Sequence, residues 1–201
     1  MCGFFDSIGR ERIRAFIAIP IDPDVRKTIA STQQALANSV PERAVRWTPP
    51  EQIHLTLKFL GEVPVNSLAD IQAVLGPICG SHLSLQLAAA TLGCFPNERD
   101  PRVLWVGLTG DLGPLKTLVE QMEKQLSPWV APEVREFHPH LTIGRIKLAT
   151  PATRQALRAA MHAHAADSFG SWRVNRVQLF QSELTPTGSR YTVLQAWPLG
   201  G

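Results

Sequence analysis

The chain carries one short pattern twice, His54-Leu55-Thr56-Leu57 and His140-Leu141-Thr142-Ile143. Each is a His-x-Thr inside an apolar run that alternates as a β-strand does. In a strand, residues i and i+2 face the same way, so each copy presents an imidazole and a hydroxyl side by side. Leu55, Leu57, Leu141 and Ile143 then face the opposite side, toward a core. For one such motif a satisfied, half-buried histidine is the simpler reading; two matched copies shift the balance to a site. Brought together, the two strands would hold two groups that titrate near neutral pH and two hydroxyl donors. That is an inventory for acid–base chemistry on a phosphate without a metal. In-line displacement at phosphorus puts the attacking and leaving oxygens on opposite sides, so a base and an acid must face each other across it. A positioned imidazole contributes about 10²–10⁴ in rate to each such transfer. Thr56 and Thr142 would donate to the non-bridging oxygens, where charge must be stabilised.

Residues beside the motifs are less distinctive. Strict alternation from His140 and Thr142 puts Gly144, not Arg145, on the histidine face, whereas alternation from His54 and Thr56 puts Lys58 there. Nothing else singles out Lys58, and a solvated lysine at a strand end is the simpler reading. His138 shares a strand face with His140 but has no carboxylate or cysteine nearby, and zinc sites use three or four ligands; no metal is expected. His162 and His164 diverge on a predicted helix and read as a solvated last turn, and His82 reads as a surface residue. Trp47 and Phe95, in loops beside predicted strands, could stack on a base, a contact worth about 1–3 kcal/mol, or could pack core edges. Trp105, Trp172 and Trp197 sit in strands and read as core.

The elements that must position these groups follow from pattern. Ala15–Pro20 reads as a buried strand. Asp22-Pro23 opens a helix to about Asn38, with Asp as N-cap and Pro at the first helical position. A short strand fits Val45–Trp47, and the first motif strand spans about Ile53–Phe59. A helix from Ser67 to Leu75 should stop at Gly76-Pro77. Strands follow at Leu83–Ala89 and Val103–Leu108, separated by a polar loop over Gly93–Pro101. A helix over Leu112–Leu126 has apolar Leu115, Leu118, Val119 and Met122 on one face. The second motif strand is Phe137–Ile146. Thr150-Pro151 opens a helix to about Ala165, and strands at Trp172–Leu184 and Tyr191–Trp197 finish the chain.

A helix precedes and follows each motif strand, and the motifs lie 140 − 54 = 86 positions apart. The order suggests a doubled unit: an α+β, bilobal fold with two largely antiparallel sheets, flanking helices, a pseudo-twofold and a central cleft. Residues 1–13 read as an N-terminal extension, with a single bilobal domain over 14–201.

Composition bounds the rest. At 201 residues, 44% hydrophobic and 18% charged, the chain is an ordinary globular one with enough length for a real core. A net charge of +3 fits an anionic substrate but is too weak to argue nucleic-acid binding alone. Cys2, Cys79 and Cys94 form no disulfide framework or zinc pattern, which fits a reducing compartment. No apolar run approaches a membrane span. Nor does the start resemble a secretory signal. A cytoplasmic protein is expected; nothing in the chain demands a dimer or an obligate protein partner, and a monomer is the expectation.

At this level of detail the chain resembles the two-histidine phosphoesterases, specifically the RNA 2′,3′-cyclic phosphodiesterases once called 2′-5′ RNA ligases. The resemblance runs from about Arg14 to Leu199 and rests on several stretches. These are Arg14–Ile19, Trp47–Gly61 around the first motif, Arg102–Gly107, Phe137–Arg145 around the second, Ser182-Glu183-Leu184 and Tyr191. It implies an enzyme without cofactor or metal that opens a 2′,3′-cyclic phosphate on RNA or a nucleotide, leaving a 2′-phosphate. It further implies His54 as general acid, His140 as general base and Arg145 as a phosphate contact; the residues themselves leave acid and base interchangeable. Alternatives in view are another phosphodiester, such as a 2′-5′ linked oligonucleotide or ADP-ribose cyclic phosphate, with weak reverse 2′-5′ joining. A non-catalytic module that binds RNA ends is a third.

Overall fold

The alternating apolar runs pair antiparallel along one path of strands. A computed structural model describes residues 4–5, 11–164, 167–186 and 188–200. Its strands are β1 (Phe4–Phe5), β2 (Glu11–Pro20), β3 (Val45–Trp47), β4 (His54–Pro64), β5 (Leu85–Phe95), β6 (Val103–Gly110), β7 (His140–Ile146), β8 (Ser168–Val174), β9 (Arg176–Thr185) and β10 (Gly188–Pro198). Its α-helices are α1 (Pro23–Ser39), α2 (Leu68–Gly80), α3 (Leu112–Leu126) and α4 (Pro151–Ala163).

The strand order is β10-β9-β2-β4-β7-β6-β5-β8, with β1 on β2 and β3 on β7. The two inner strands, β4 and β7, meet only at Leu55 opposite Leu141. That one-pair seam divides the path into two halves of four strands, so the expected pair of antiparallel sheets is present but joined. Outward from the seam the halves read β4-β2-β9-β10 and β7-β6-β5-β8, which is the pseudo-twofold.

The crossover helices exchange lobes. α1 leaves β2 of the first lobe yet packs against α4 and β8 of the second; α3 leaves β6 of the second yet packs against α2 and β4 of the first. Beneath the sheets Ile17, Leu55, Ile71, Leu75 and Leu115 are fully buried in the first lobe, and Leu36, Leu87, Leu104, Leu157 and Phe169 in the second. Each such side chain contributes about 1.5–3 kcal/mol by leaving water. The caps behave as their residue types dictate: Asp22 accepts from the Asp24 amide at 2.8 Å, and Thr150 accepts from the Thr153 amide at 3.1 Å.

Several boundaries differ from the sequence reading, each for a physical reason. β2 begins at Glu11 because pairing with β4 extends past the apolar run; of the expected extension, residues 1–3 and 6–10 lie outside the described residues. α2 runs through Gly76 and Pro77. Pro77 forfeits its own bond to the Ala73 carbonyl, and the burial of Ile78 and Cys79 beyond it offsets that loss. The Trp197 indole packs beside Gly76, at a distance that would be ordinary contact for a Cβ there. The single strand expected over Trp172–Leu184 is two: β8 pairs with β5, β9 with β2 and β10, and the chain changes lobes at Asn175. β5 continues to Phe95 through a bulge at Thr91, whose φ is 64°, so part of the expected polar loop is strand.

No helix among the described residues is long and apolar enough to cross a membrane.

Candidate active site

Both motif strands carry a bulge immediately after the threonine. Against β2, Ala18 is opposite Thr56 and Ile17 opposite Lys58, so Leu57 is the extra residue. Against β6, Trp105 is opposite Thr142 and Leu104 opposite Gly144, so Ile143 is the extra residue. A bulge inserts one unpaired residue and re-aims those after it. Leu57 and Ile143 stay buried, 4% and 1% exposed, and so do the next residues, Lys58 and Gly144. Phe59 and Arg145 turn outward.

This corrects two expectations from strict alternation. Lys58 does not face the cleft and is not a solvated strand end: it is 4% exposed and its Nζ donates to Glu123 Oε2 of α3 at 2.6 Å. Arg145, which alternation would send away from the histidine face, lines the cleft.

The second bulge is pinned from behind. Gln33 of α1 is 6% exposed, and its Nε2 donates to the carbonyls of Ile143 at 2.7 Å and Thr48 at 2.9 Å. The Thr48 amide in turn donates to the Ile143 carbonyl at 3.0 Å. One buried amide therefore ties the bulge to the end of β3.

Between the lobes lies a cleft of about 480 Å³. His54, Thr56, Thr142, Arg145 and Trp47 line it, together with Arg14, Phe16, Arg46, Phe59, Leu184 and Tyr191. His140, half-buried on the same face of its strand as Thr142, is not itself among the residues that line it. The two imidazoles are close enough that charge on His140 disfavours charge on His54.

Each imidazole is oriented the same way. His54 Nδ1–H donates to the Gln52 carbonyl at 2.7 Å, and His140 Nδ1–H donates to the His138 carbonyl at 2.7 Å. A carbonyl can only accept, so Nδ1 carries the proton in both neutral rings and Nε2 is left to exchange protons. Burial pushes both pKa values below the usual 6.5 against these hydrogen bonds, which pull upward. Further lowering comes from His140 on His54, and from His138 and Arg145 on His140.

The surroundings differ. Phe16 stacks on His54 with ring centroids 4.8 Å apart, Tyr191 meets it edge-on at 5.6 Å, and Phe180 stacks behind Phe16 at 5.1 Å. His140 meets Phe95 edge-on at 5.0 Å, its one aromatic neighbour among the described residues; Phe95 leans on Trp105 at 5.2 Å. Phe95 thus belongs to β5 rather than a loop and braces His140. Trp105, expected in the core, is half-buried on the Thr142 face, its indole laid where a Gly93 Cβ would sit. Trp172 and Trp197 are buried as expected. Trp47 lies against Gly144 and the core while also lining the cleft.

Three other histidines are occupied elsewhere, while His138 stays beside His140 and Phe95. His162 pairs with Glu98 at 3.6 Å, His164 with Asp167 at 2.7 Å, and His82 bonds the Ile78 carbonyl at 2.9 Å. Among the described residues no three His, Cys, Asp or Glu side chains converge as metal ligands would. Sequence reasoning did not single out Phe59, Arg46 or Gln33. The first two reach the cleft through a bulge and through the β3–β7 pairing, and Gln33 acts from a helix borrowed from the other half. None of these has a local signal.

The comparisons agree with this architecture. An RNA 2′,3′-cyclic phosphodiesterase from Archaeoglobus fulgidus is 31% identical over 92% of this chain and 99% of its own length. One from Aeropyrum pernix is 36% identical over 83% of this chain and 92% of its own. Among solved structures, a Thermus thermophilus protein superposes with a TM-score of 0.76 at 30% identity, over 94% of this chain and 99% of its own. The complex of E. coli LigT with 3′-AMP gives 0.74 at 26% identity, over 95% and 100%. The family described as LigT like Phosphoesterase matches residues 19–105 and 107–191. By sequence and by fold, the chain belongs to the LigT-like phosphoesterase family.

Proposed function

We propose that the chain hydrolyses 2′,3′-cyclic phosphate at the end of RNA or on a nucleotide, leaving a 2′-phosphate, with His54 as acid and His140 as base. The observation that carries this is the paired orientation: both Nδ1 protons are committed to backbone carbonyls, and neither Nε2 has a hydrogen-bond partner among the described residues. The printed names of the relatives supply the substrate class.

In the reaction, water attacks phosphorus while His140 Nε2 takes its proton. The P–O3′ bond breaks, and His54 Nε2–H delivers a proton to the departing O3′. The product has a free 3′-hydroxyl and a 2′-phosphate; His140 then loses a proton to solvent and His54 regains one. Arg145 supports the direction, since its cation beside His140 disfavours the imidazolium and keeps a base neutral. Thr56, Thr142 and Arg145 stabilise the non-bridging oxygens. Trp47, and Phe95 beside His140, flank the place where the base of the nucleotide would lie. The two imidazoles supply both proton transfers, and no step calls for a metal.

The test is an EDTA-treated assay on 2′,3′-cyclic AMP and a short RNA ending in a cyclic phosphate, resolving 2′- from 3′-phosphate. Formation of 2′-phosphate, lost in His54→Ala and in His140→Ala, is expected. A 3′-phosphate product would reverse the leaving oxygen. Full activity in either variant, or one-to-one binding without conversion, would remove the hydrolase reading.

A further inference from the structure

The cleft carries more positive charge than one cyclic phosphate uses. Arg14, Arg46 and Arg145 line it and, among the described residues, no aspartate or glutamate does, in a chain whose net charge is only +3. Arg46 lies directly opposite Arg145 in the β3–β7 pair. Their side chains therefore rise from adjacent positions on one sheet face, where like charges repel. Neither guanidinium has a carboxylate partner among the described residues. A pair of facing cations in a concave site is a ready receptor for a polyanion, and guanidinium matches phosphate oxygens in a two-pronged fork.

We propose that Arg46 anchors a second phosphate, the one on the 5′ oxygen of the nucleoside that bears the cyclic phosphate. The site would thereby select the end of an RNA strand over a free cyclic nucleotide. This rests on the cyclic-phosphate reading above. The 2′ and 3′ oxygens of that nucleoside are held in the reacting ring, so its only other phosphate hangs from O5′. Opposed residues of an antiparallel pair lie about 4.5–5.5 Å apart at Cα. Two long side chains fanning out from there span the gap between neighbouring phosphates. Arg145 takes the reacting one and Arg46 the next.

The test measures affinity in the double variant His54→Ala/His140→Ala, which cannot turn substrate over. Three ligands are compared: 2′,3′-cyclic AMP, its 5′-phosphorylated form, and the dinucleotide ApA ending in a 2′,3′-cyclic phosphate. At low salt the two ligands with a 5′ phosphate should bind roughly 10-fold tighter than cyclic AMP, the gain of one charge-assisted contact. Adding Arg46→Ala should erase that gain and leave cyclic AMP binding unchanged, whereas Arg46→Lys should keep part of it. The log–log salt slope for the dinucleotide should fall by about 0.7 in Arg46→Ala, one phosphate's worth for a single strand. Equal affinity for all three ligands would overturn the proposal, as would a tighter dinucleotide that ignores Arg46→Ala. Wild-type turnover is followed in parallel. Failure to convert any of the three would sink the cyclic phosphodiesterase reading, while the affinities still decide whether Arg46 holds a phosphate.

Discussion

The two motif strands are built alike through the bulge and then diverge, and the divergence makes the site asymmetric. In β4 the bulge is followed by buried Lys58 and outward Phe59; in β7 it is followed by Gly144 and outward Arg145. One lobe thus offers an aromatic ring, 62% exposed, where the other offers a cation. The histidines inherit the difference. His54 is boxed by Phe16, Phe180 and Tyr191, while His140 has Phe95 on one edge and Arg145 nearby. A duplicated strand supplies two equivalent imidazoles, and the residues after the bulge give them separate environments. Acid and base then become distinguishable.

The largest expected effect tests the equivalence. His54→Ala and His140→Ala should each cost about 10²–10⁴ in kcat. The double variant should lose little more than the worse single one, because groups that act as a unit are non-additive. A loss confined to one histidine would mean that the lobes share a fold but not a reaction.

Next comes the pair that differs. Arg145→Ala should lower kcat/KM by about 10²-fold, the scale of one donor to a developing oxyanion, while Phe59→Ala should cost far less. The pH profile sharpens this. Both histidines ionise below 6.5 in the free protein, so kcat/KM requires one charged and one neutral ring and should peak below pH 6.5. The alkaline limb of kcat should sit higher, since bound phosphate anion favours imidazolium. Arg145 lowers the pKa of His140, so its removal should move one limb upward. Movement of the acid limb identifies His140 as base; movement of the alkaline limb makes it the acid. Stability follows the same sign. The unfolded chain holds these protons more tightly, so stability should fall as pH drops below 6.5 and level off once both native imidazoles are charged. Thermal melts across this range, with each histidine replaced in turn, would read that slope.

How far the sequence carried the reading depends on locality. The His-x-Thr faces, the capped starts of α1 and α4 and the span of α3 are set within a few residues, and each was legible from residue type and period. The bulges were not. Leu57-Lys58-Phe59 and Ile143-Gly144-Arg145 look like continued alternation, and only pairing with β2 and β6 shows the extra residue. For that reason alternation puts Lys58 on the histidine face and Arg145 off it, and gives no sign of Phe59. The helix exchange is likewise a property of packing, so nothing in α1 announces that Gln33 serves β7. Asn175, where the chain changes lobes, interrupts two runs whose propensities are both extended.

The smallest expected effects lie behind the bulges, where each lobe is braced differently. In the second, Gln33 satisfies one buried and one partly buried carbonyl; in the first, Lys58 pairs with Glu123, the lysine side chain almost fully buried and that of the glutamate about one-quarter exposed. Removing Glu123 strands a buried ammonium, so Glu123→Ala should destabilise by about 3 kcal/mol. Gln33→Ala strands only neutral carbonyls and should cost about 1–2 kcal/mol. Lys58→Met removes the charge and keeps the volume, so stability should stay close to wild type. Chemical denaturation separates the three. Gln33→Ala should also loosen the bulge that turns Arg145 into the cleft, lowering kcat/KM and shifting the pH limb assigned to His140 as Arg145→Ala does. Lys58→Met should leave both unchanged, because Phe59 contributes no charge to His54. If Lys58→Met instead abolished turnover while the protein stayed folded, the ion pair would be part of the chemistry, and the two lobes would be more alike than their bulges suggest.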